Sequence, residues 1–282
     1  MRTLLFLLSS FSLLGALPQA SLNTYDYEAR LWRISTRTNS SDVTASSYRI
    51  ATVFMLNIKR WGVRQCLVYC LPYQGTNLTA CKMPLIHDVT GSHAAVVTSG
   101  FVAGDYSEAT GLTGDGSSKF ISLGFGMDTV GTFAHMSAYA RATPTAAHHI
   151  LIGANSSPNG NSYIYHNVVD DTVNGDMCST ASVNCKASDT GRIGLYMHSR
   201  TSTSNSVMYV NGVSVATDTV NEGVNPGAVV IFIHAWDNVG SPLLYTSRPI
   251  SYADVGKAMN ATQALNHYRA VQRKELSLNR AK

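Results

Sequence analysis

The chain has 282 residues, enough for one large domain or two small ones. Charged residues make up 13%, about half the usual share, while hydrophobic residues at 45% are ordinary, which excludes a disordered chain and a coiled coil. The net charge of +4 is spread too thinly along the chain for the basic stripe of a nucleic-acid binder, and four glutamates (Glu28, Glu108, Glu222, Glu275) leave a paired-glutamate glycosidase almost no candidates.

Residues 1–20, MRTLLFLLSSFSLLGALPQA, combine a basic start at Arg2, a Leu/Phe-rich run and small residues at Ala16 and Ala20. They read as a secretory signal peptide, with an uncleaved anchor as the alternative. Ser9, Ser10, Ser12, Gly15 and Pro18 make the run too short for a comfortable membrane span, and no later segment approaches about 18 continuous apolar residues. The mature chain is therefore expected outside the cytoplasm, secreted or periplasmic, with no membrane span.

An N-terminal segment, 21–84, follows. Ile50, Val53, Phe54, Ile58 and Trp61 recur in steps of three and four and predict an amphipathic helix, capped by Ser46 or Ser47 and ended by Gly62. Five cysteines suit an oxidising compartment, and the odd number leaves at least one thiol unpaired within the chain. Cys178 and Cys185 enclose the polar loop STASVN and are the best candidates for a bridge. Cys66 and Cys70 would share a helix face, with one of them placed to pair with Cys81. Zinc is disfavoured because paired C-x-x-C knuckles are absent.

From about His87 the hydrophobic period changes to two. Strands are expected at 120–125, 133–141, 149–154, 162–168, 192–200, 206–212, 213–219 and 228–236, and Asn211-Gly212 between β-branched runs marks a hairpin. Asn260 and Gln263 form a capping-box pattern ahead of a terminal helix. The expected fold is all-β: a two-sheet antiparallel jelly-roll sandwich over 85–258, flanked by the N-terminal helix and by a C-terminal helix over 259–282.

Two segments carry a family likeness. Gly194, Tyr196, Ser199, Arg200, Thr201, Tyr209, Asn211 and Gly212 follow one ordered pattern, and Gly114, Asp115, Gly116, Phe120, Gly124 and Phe125 follow another upstream. Over roughly 110–282 the chain resembles the concanavalin A-like lectin and glucanase superfamily, in its laminin G-like bacterial and phage branch. The resemblance implies a jelly roll whose concave sheet often receives carbohydrate, in a superfamily that also holds hydrolases, lyases and adhesion modules.

Residues two apart on a strand share a face. That groups His135, Tyr139 and Arg141; Tyr163, Tyr165 and Asn167; Tyr196, His198 and Arg200; and Phe232, His234 and Trp236. On one sheet these faces would make a groove in which aromatic rings stack on sugars and arginines hold anionic groups. The plain alternative is a solvated outer face.

The first functional expectation is a secreted carbohydrate-binding module for a polysaccharide or cell-surface glycan. Its ligand residues would be Tyr139, Arg141, Tyr163, Tyr165, Tyr196, Arg200, His234 and Trp236. The second is a polysaccharide lyase acting on a uronate by β-elimination, which needs no paired carboxylates. There Arg141 or Arg200 would neutralise the carboxylate, His135, His198 or Tyr139 would take the proton, and Tyr163 or Tyr165 would protonate the leaving oxygen. A structural adhesion domain is the third. No cofactor is required; Asp170 and Asp171, adjacent in a loop beside Asp176, could hold a structural calcium, and solvated turn acids are the simpler account of them.

Overall fold

The computed structural model describes residues 26–39, 43–89, 96–143, 148–156, 159–180, 185–189 and 193–280, so the leader expected at 1–20 lies outside the described residues. The helices are α1 (Tyr27–Thr38), α2 (Ala45–Arg60), α3 (Leu78–Cys81), α4 (Met127–Val130) and α5 (Ala261–Ser277). The early strands are β1 (Leu67–Leu71), β2 (Ile86–His87), β3 (Val97–Ser99), β4 (Tyr106–Ser107), β5 (Gly111–Thr113) and β6 (Phe120–Gly126). The central ones are β7 (Ala134–Ala140), β8 (His148–Asn155), β9 (Asn161–Asn167), β10 (Thr172–Ser179), β11 (Cys185–Ser188) and β12 (Gly194–Ser202). The last are β13 (Asn205–Val210), β14 (Val213–Asp218), β15 (Val230–Ile233), β16 (Trp236–Asn238), β17 (Ser241–Leu243) and β18 (Pro249–Lys257).

These strands form two nine-stranded sheets. The first runs β14-β13-β12-β7-β18-β1-β2, with β5 on β18 and β4 on β5. The second runs β11-β10-β9-β8-β15-β6-β3, with β16 beside β8 and β17 beside β16. Pairing is antiparallel apart from β16 with β8. The fold is the expected two-sheet β-sandwich with flanking helices, but β1 enters the first sheet between β18 and β2, tying the N-terminal segment into the sandwich.

Alternation explains the layering. Met136, Ala138 and Ala140 of β7, Ile164 of β9, Val173 and Met177 of β10 and Ile231 and Ile233 of β15 meet in one core between the sheets. On the other side of the first sheet, Tyr139, Leu195, Met197, Tyr209 and Tyr252 pack with Phe54, Met55 and Ile58 of α2 and Ala264, Ala270 and Val271 of α5 in a second core. Burial of the valine, leucine, isoleucine, phenylalanine and methionine side chains among these is worth about 1.5–3 kcal/mol each before the entropy of ordering them is counted.

Local signals set the helix ends. Asp26 caps α1, accepting from the Glu28 and Ala29 N–H groups. The cap of α2 is Thr44 instead of Ser46 or Ser47, because its hydroxyl reaches the Ser47 N–H at 3.0 Å and starts the helix earlier. Asn260 and Gln263 close the expected capping box on α5. Asn211 and Gly212 both have positive φ, as a tight hairpin between β13 and β14 requires. Among the described residues no helix is long and apolar enough to cross a membrane.

The bridge expected between Cys178 and Cys185 does not form. Register puts Cys185 opposite Gly175, three residues along β10 from Cys178. At about 3.3 Å per residue this is roughly 10 Å, beyond disulfide reach. Cys178 instead contacts the Ser162 hydroxyl at 3.7 Å and Cys185 the Ser206 carbonyl at 3.4 Å. All five cysteines are buried free thiols. Cys66 ends a 3-10 turn and Cys70 lies in β1, so the shared helix face expected for them is absent.

Candidate glycan-binding face

Cross-strand register decides where each candidate side chain points. Tyr196 lies opposite Ala138 and His198 opposite Met136, so the polar series of β12 shares a face with the apolar series of β7. Tyr196, His198 and Arg200 therefore point between the sheets, whereas His135 and Tyr139 point beneath the helices. Tyr163 and Tyr165 stand on the outer face of the second sheet. The expected single groove is thus divided among three environments.

The helix-covered set is a closed polar network. His135 is fully buried, with Nε2 2.8 Å from Asp254 Oδ1 and Nδ1 2.6 Å from the Lys257 carbonyl. His267 of α5 reaches the other oxygen of Asp254 at 2.7 Å and the Tyr252 hydroxyl at 3.0 Å. Burial alone would push the Asp254 carboxyl up; His267, followed by the hydrogen bond from His135, outweighs it and holds the carboxyl well below its usual range. Burial pushes Tyr139 up to about 12, with Glu275 adding to the shift and Arg141 opposing it. Arg141 follows β7, its backbone N–H bonded to the Pro249 carbonyl.

The inter-sheet set is equally enclosed. Tyr196 donates its hydroxyl to Asp189 at 2.7 Å and lies beneath the Arg248 guanidinium. His198 meets the Ser206 hydroxyl at 2.8 Å, and burial, reinforced by Arg200, pushes its pKa down to about 3. Arg200 spans the sandwich, donating to the carbonyls of Met177 and Thr203 and to Asp218. The histidines, tyrosines and arginines proposed for elimination are not brought together around any one position.

Residues 228–236 do not form one strand. His234 has φ +68°, which ends β15 and turns the chain before β16 begins at Trp236. His234 is fully buried against Phe101, ring centroids 5.4 Å apart, and burial pushes it down to about 3. It leaves the face shared by Phe232 and Trp236.

What does converge lies on the outer face of the second sheet. Phe120 of β6, Phe232 of β15, Trp236 of β16, Tyr163 and Tyr165 of β9, and Asn174 and Asp176 of β10 occupy the parity opposite the inter-sheet core. Phe120 and Phe232 stack at 4.5 Å, Tyr245 stands 6.4 Å from Phe120, and Tyr163 and Trp236 meet at 5.2 Å. Tyr165 sits opposite Asn174 and Tyr163 opposite Asp176. Burial, with Asp170 adding to it, raises the Tyr165 pKa, so its hydroxyl remains a donor across the physiological range. The indole Nε1 of Trp236 and Oδ1 of Asn174 are shielded and have no hydrogen-bond partner among the described residues. Each such orphan costs about 1–3 kcal/mol until something pairs with it.

Gly153 is what lets the rings close. A Cβ there would lie 2.8 Å from Cβ of Tyr163 and 3.1 Å from Cδ1 of Trp236. Gly153→Ala is expected to cost about 1–3 kcal/mol of stability by overpacking and to red-shift the tryptophan emission as Trp236 is displaced. Urea unfolding followed by fluorescence checks this; unchanged stability and emission would mean that the rings do not depend on the glycine.

Tyr163, Tyr165 and Trp236 belong to the set expected from sequence, whereas Asn174, Tyr245 and Gly153 do not. The run TVNGDMCS alternates Val173, Gly175 and Met177 with Asn174 and Asp176, a period-two signal that identifies β10. Asp176 accordingly lies in a strand, apart from Asp170, which pairs with Asn167 and Lys186. Among the described residues no group of three His, Cys, Asp or Glu side chains is placed to hold a metal ion.

No protein-family model matches the chain, and no curated protein matches it in sequence. Among solved structures, it is similar to the binding domain of botulinum neurotoxin serotype D/C, with a TM-score of 0.53 at 11% identity, covering 74% of this chain and 53% of that one. The likeness is one of fold. Domain 4 of AbnA, an extracellular arabinanase from Geobacillus stearothermophilus solved with arabinotriose, gives 0.45 at 14% identity over 72% of this chain and 98% of that one. The NanB sialidase from Streptococcus pneumoniae gives 0.39 at 15% identity over 48% of this chain, which spans 24% of that sialidase.

Proposed function

We propose that the chain is a carbohydrate-binding module that receives a glycan on the outer face of the second sheet. The observation that carries this reading is two ring pairs on one sheet face, Phe120 with Phe232 and Tyr163 with Trp236, in which Phe120 and Trp236 are half-buried, beside an indole N–H and an amide oxygen without partners among the described residues. Aromatic faces suit the C–H faces of sugars, and the orphaned donor and acceptor suit their hydroxyls. The resemblance of 110–282 to laminin G-like domains agrees with this use, and secretion, as read from residues 1–20, would bring the module to extracellular glycans.

Affinity electrophoresis against a panel of neutral and uronate polysaccharides tests the proposal. At least one polymer is expected to retard the protein. Trp236→Ala and Tyr163→Ala are each expected to weaken that binding about tenfold, equivalent to about 1.4 kcal/mol. No retardation by any polymer, or retardation indifferent to both substitutions, would overturn it.

A further inference from the structure

Arginines separated in the sequence are gathered on α1. Arg30, Arg33 and Arg37 stand at i, i+3 and i+7, within about 60° of arc at 100° per residue. With Ile34 and with Tyr48 from α2 they line a depression of about 430 Å³. None of these five residues is acidic, and the acids at the start of α1 are engaged elsewhere: Asp26 by Lys59 at 2.6 Å, and Glu28 by Lys59 at 2.7 Å and Arg64 at 2.5 Å.

The site has a fixed element. The Arg33 guanidinium lies over the Tyr48 ring at 4.7 Å from its centroid. Stacking uses the face of the guanidinium and leaves its in-plane donors for an acceptor. Its Nε is buried and has no hydrogen-bond partner among the described residues. A planar fork held in place, flanked by the Arg30 guanidinium, matches the oxygens of a tetrahedral anion. Ile34 and the Tyr48 ring add an apolar wall beside that charge.

We propose that this depression binds a multiply charged oxyanion of the phosphate or sulfate-ester class. It is distinct from the glycan-binding face: α1 packs on α2, which covers the first sheet, while Trp236 lies on the second.

Titration calorimetry of the whole chain at low ionic strength tests this, with inorganic pyrophosphate and dextran sulfate as probes and unsulfated dextran as control. Saturable binding of pyrophosphate would point to a free phosphate compound. Binding of dextran sulfate alone would point to a sulfated polymer, and either result supports the shared chemistry. Arg33→Gln is expected to weaken binding at least tenfold, and Arg33→Lys to restore only part of it. Arg60→Gln, which changes an exposed cation outside the depression, is expected to have little effect. If Arg33→Gln fails to give a cooperative melt, Arg30→Gln, at an exposed position, takes its place. Absence of binding by both probes, equal losses from Arg33→Gln and Arg60→Gln, or a loss caused by Trp236→Ala but not by Arg33→Gln would each overturn the proposal.

Discussion

Arg200→Met is expected to lower the free energy of unfolding by about 3–5 kcal/mol, the usual consequence of removing one partner from a buried charged network. Arg200 is 1% exposed and starts from β12 in the first sheet. Its Nε reaches the Met177 carbonyl of β10 in the second sheet at 2.5 Å, and its Nη1 reaches the Thr203 carbonyl at 2.8 Å. Nη2 lies 3.4 Å from Asp218, which is itself buried and caps the Val220 N–H. The methionine would fill much of the volume while leaving the Met177 carbonyl and the Asp218 carboxylate without their cation. Arg200→Lys should recover only part of the loss, since an ammonium cannot reproduce the three-way fork. Equilibrium urea unfolding checks both variants. A loss below about 1 kcal/mol for Arg200→Met would show that Arg200 does not brace the two sheets.

Acid should destabilise the fold well before its carboxylates titrate. Burial, with Arg200 adding to it at His198, holds His198 and His234 down at about 3, while an unfolded imidazole titrates near 6.5. Below about 6.5 the unfolded chain therefore takes up protons that the folded chain refuses. Stability from these two groups is fully present above that value and is lost as the pH falls toward about 3. Between pH 7.5 and pH 5 the loss is about 2 kcal/mol for each, or about 4 kcal/mol together. Urea unfolding at the two pH values measures it, and His198→Gln is expected to remove about half of the pH dependence. Equal stability at pH 7.5 and pH 5 would contradict this account of the buried imidazoles.

Strands β6, β7, β8, β9, β12, β13 and β14 and their alternation were legible in the sequence because period two survives within each, whereas β10 and the central nine-residue β18 were not expected. The division into His135 and Tyr139 against Met136 and Ala138, and into Tyr196 and His198 against Leu195 and Met197, matches the two sides of the first sheet. What single-strand reading cannot supply is register. Pairing His198 with Met136 turned two polar series to opposite sides of one sheet, and pairing Cys185 with Gly175 separated two cysteines that are close in sequence.

Backbone conformation hid another part. The positive φ of His234 divides a nine-residue hydrophobic run into two strands and removes His234 from the face of Trp236. Charge was hidden by the helix itself: Arg30, Arg33 and Arg37 look dispersed until residues 27–38 are recognised as helical.

The most direct test of the glycan-binding reading uses the three tryptophan indole N–H groups, observed as separate nitrogen–proton resonances. Trp32 is buried and donates to the Met83 carbonyl at 3.1 Å, and Trp61 lies under Arg273, whereas the indole N–H of Trp236 on the second sheet has no partner among the described residues. Titration with the polysaccharide that retards the protein should move one indole resonance, the one that Trp236→Phe removes, and leave the other two in place. Movement of the Trp32 or Trp61 resonance with the Trp236 resonance unchanged would contradict the account.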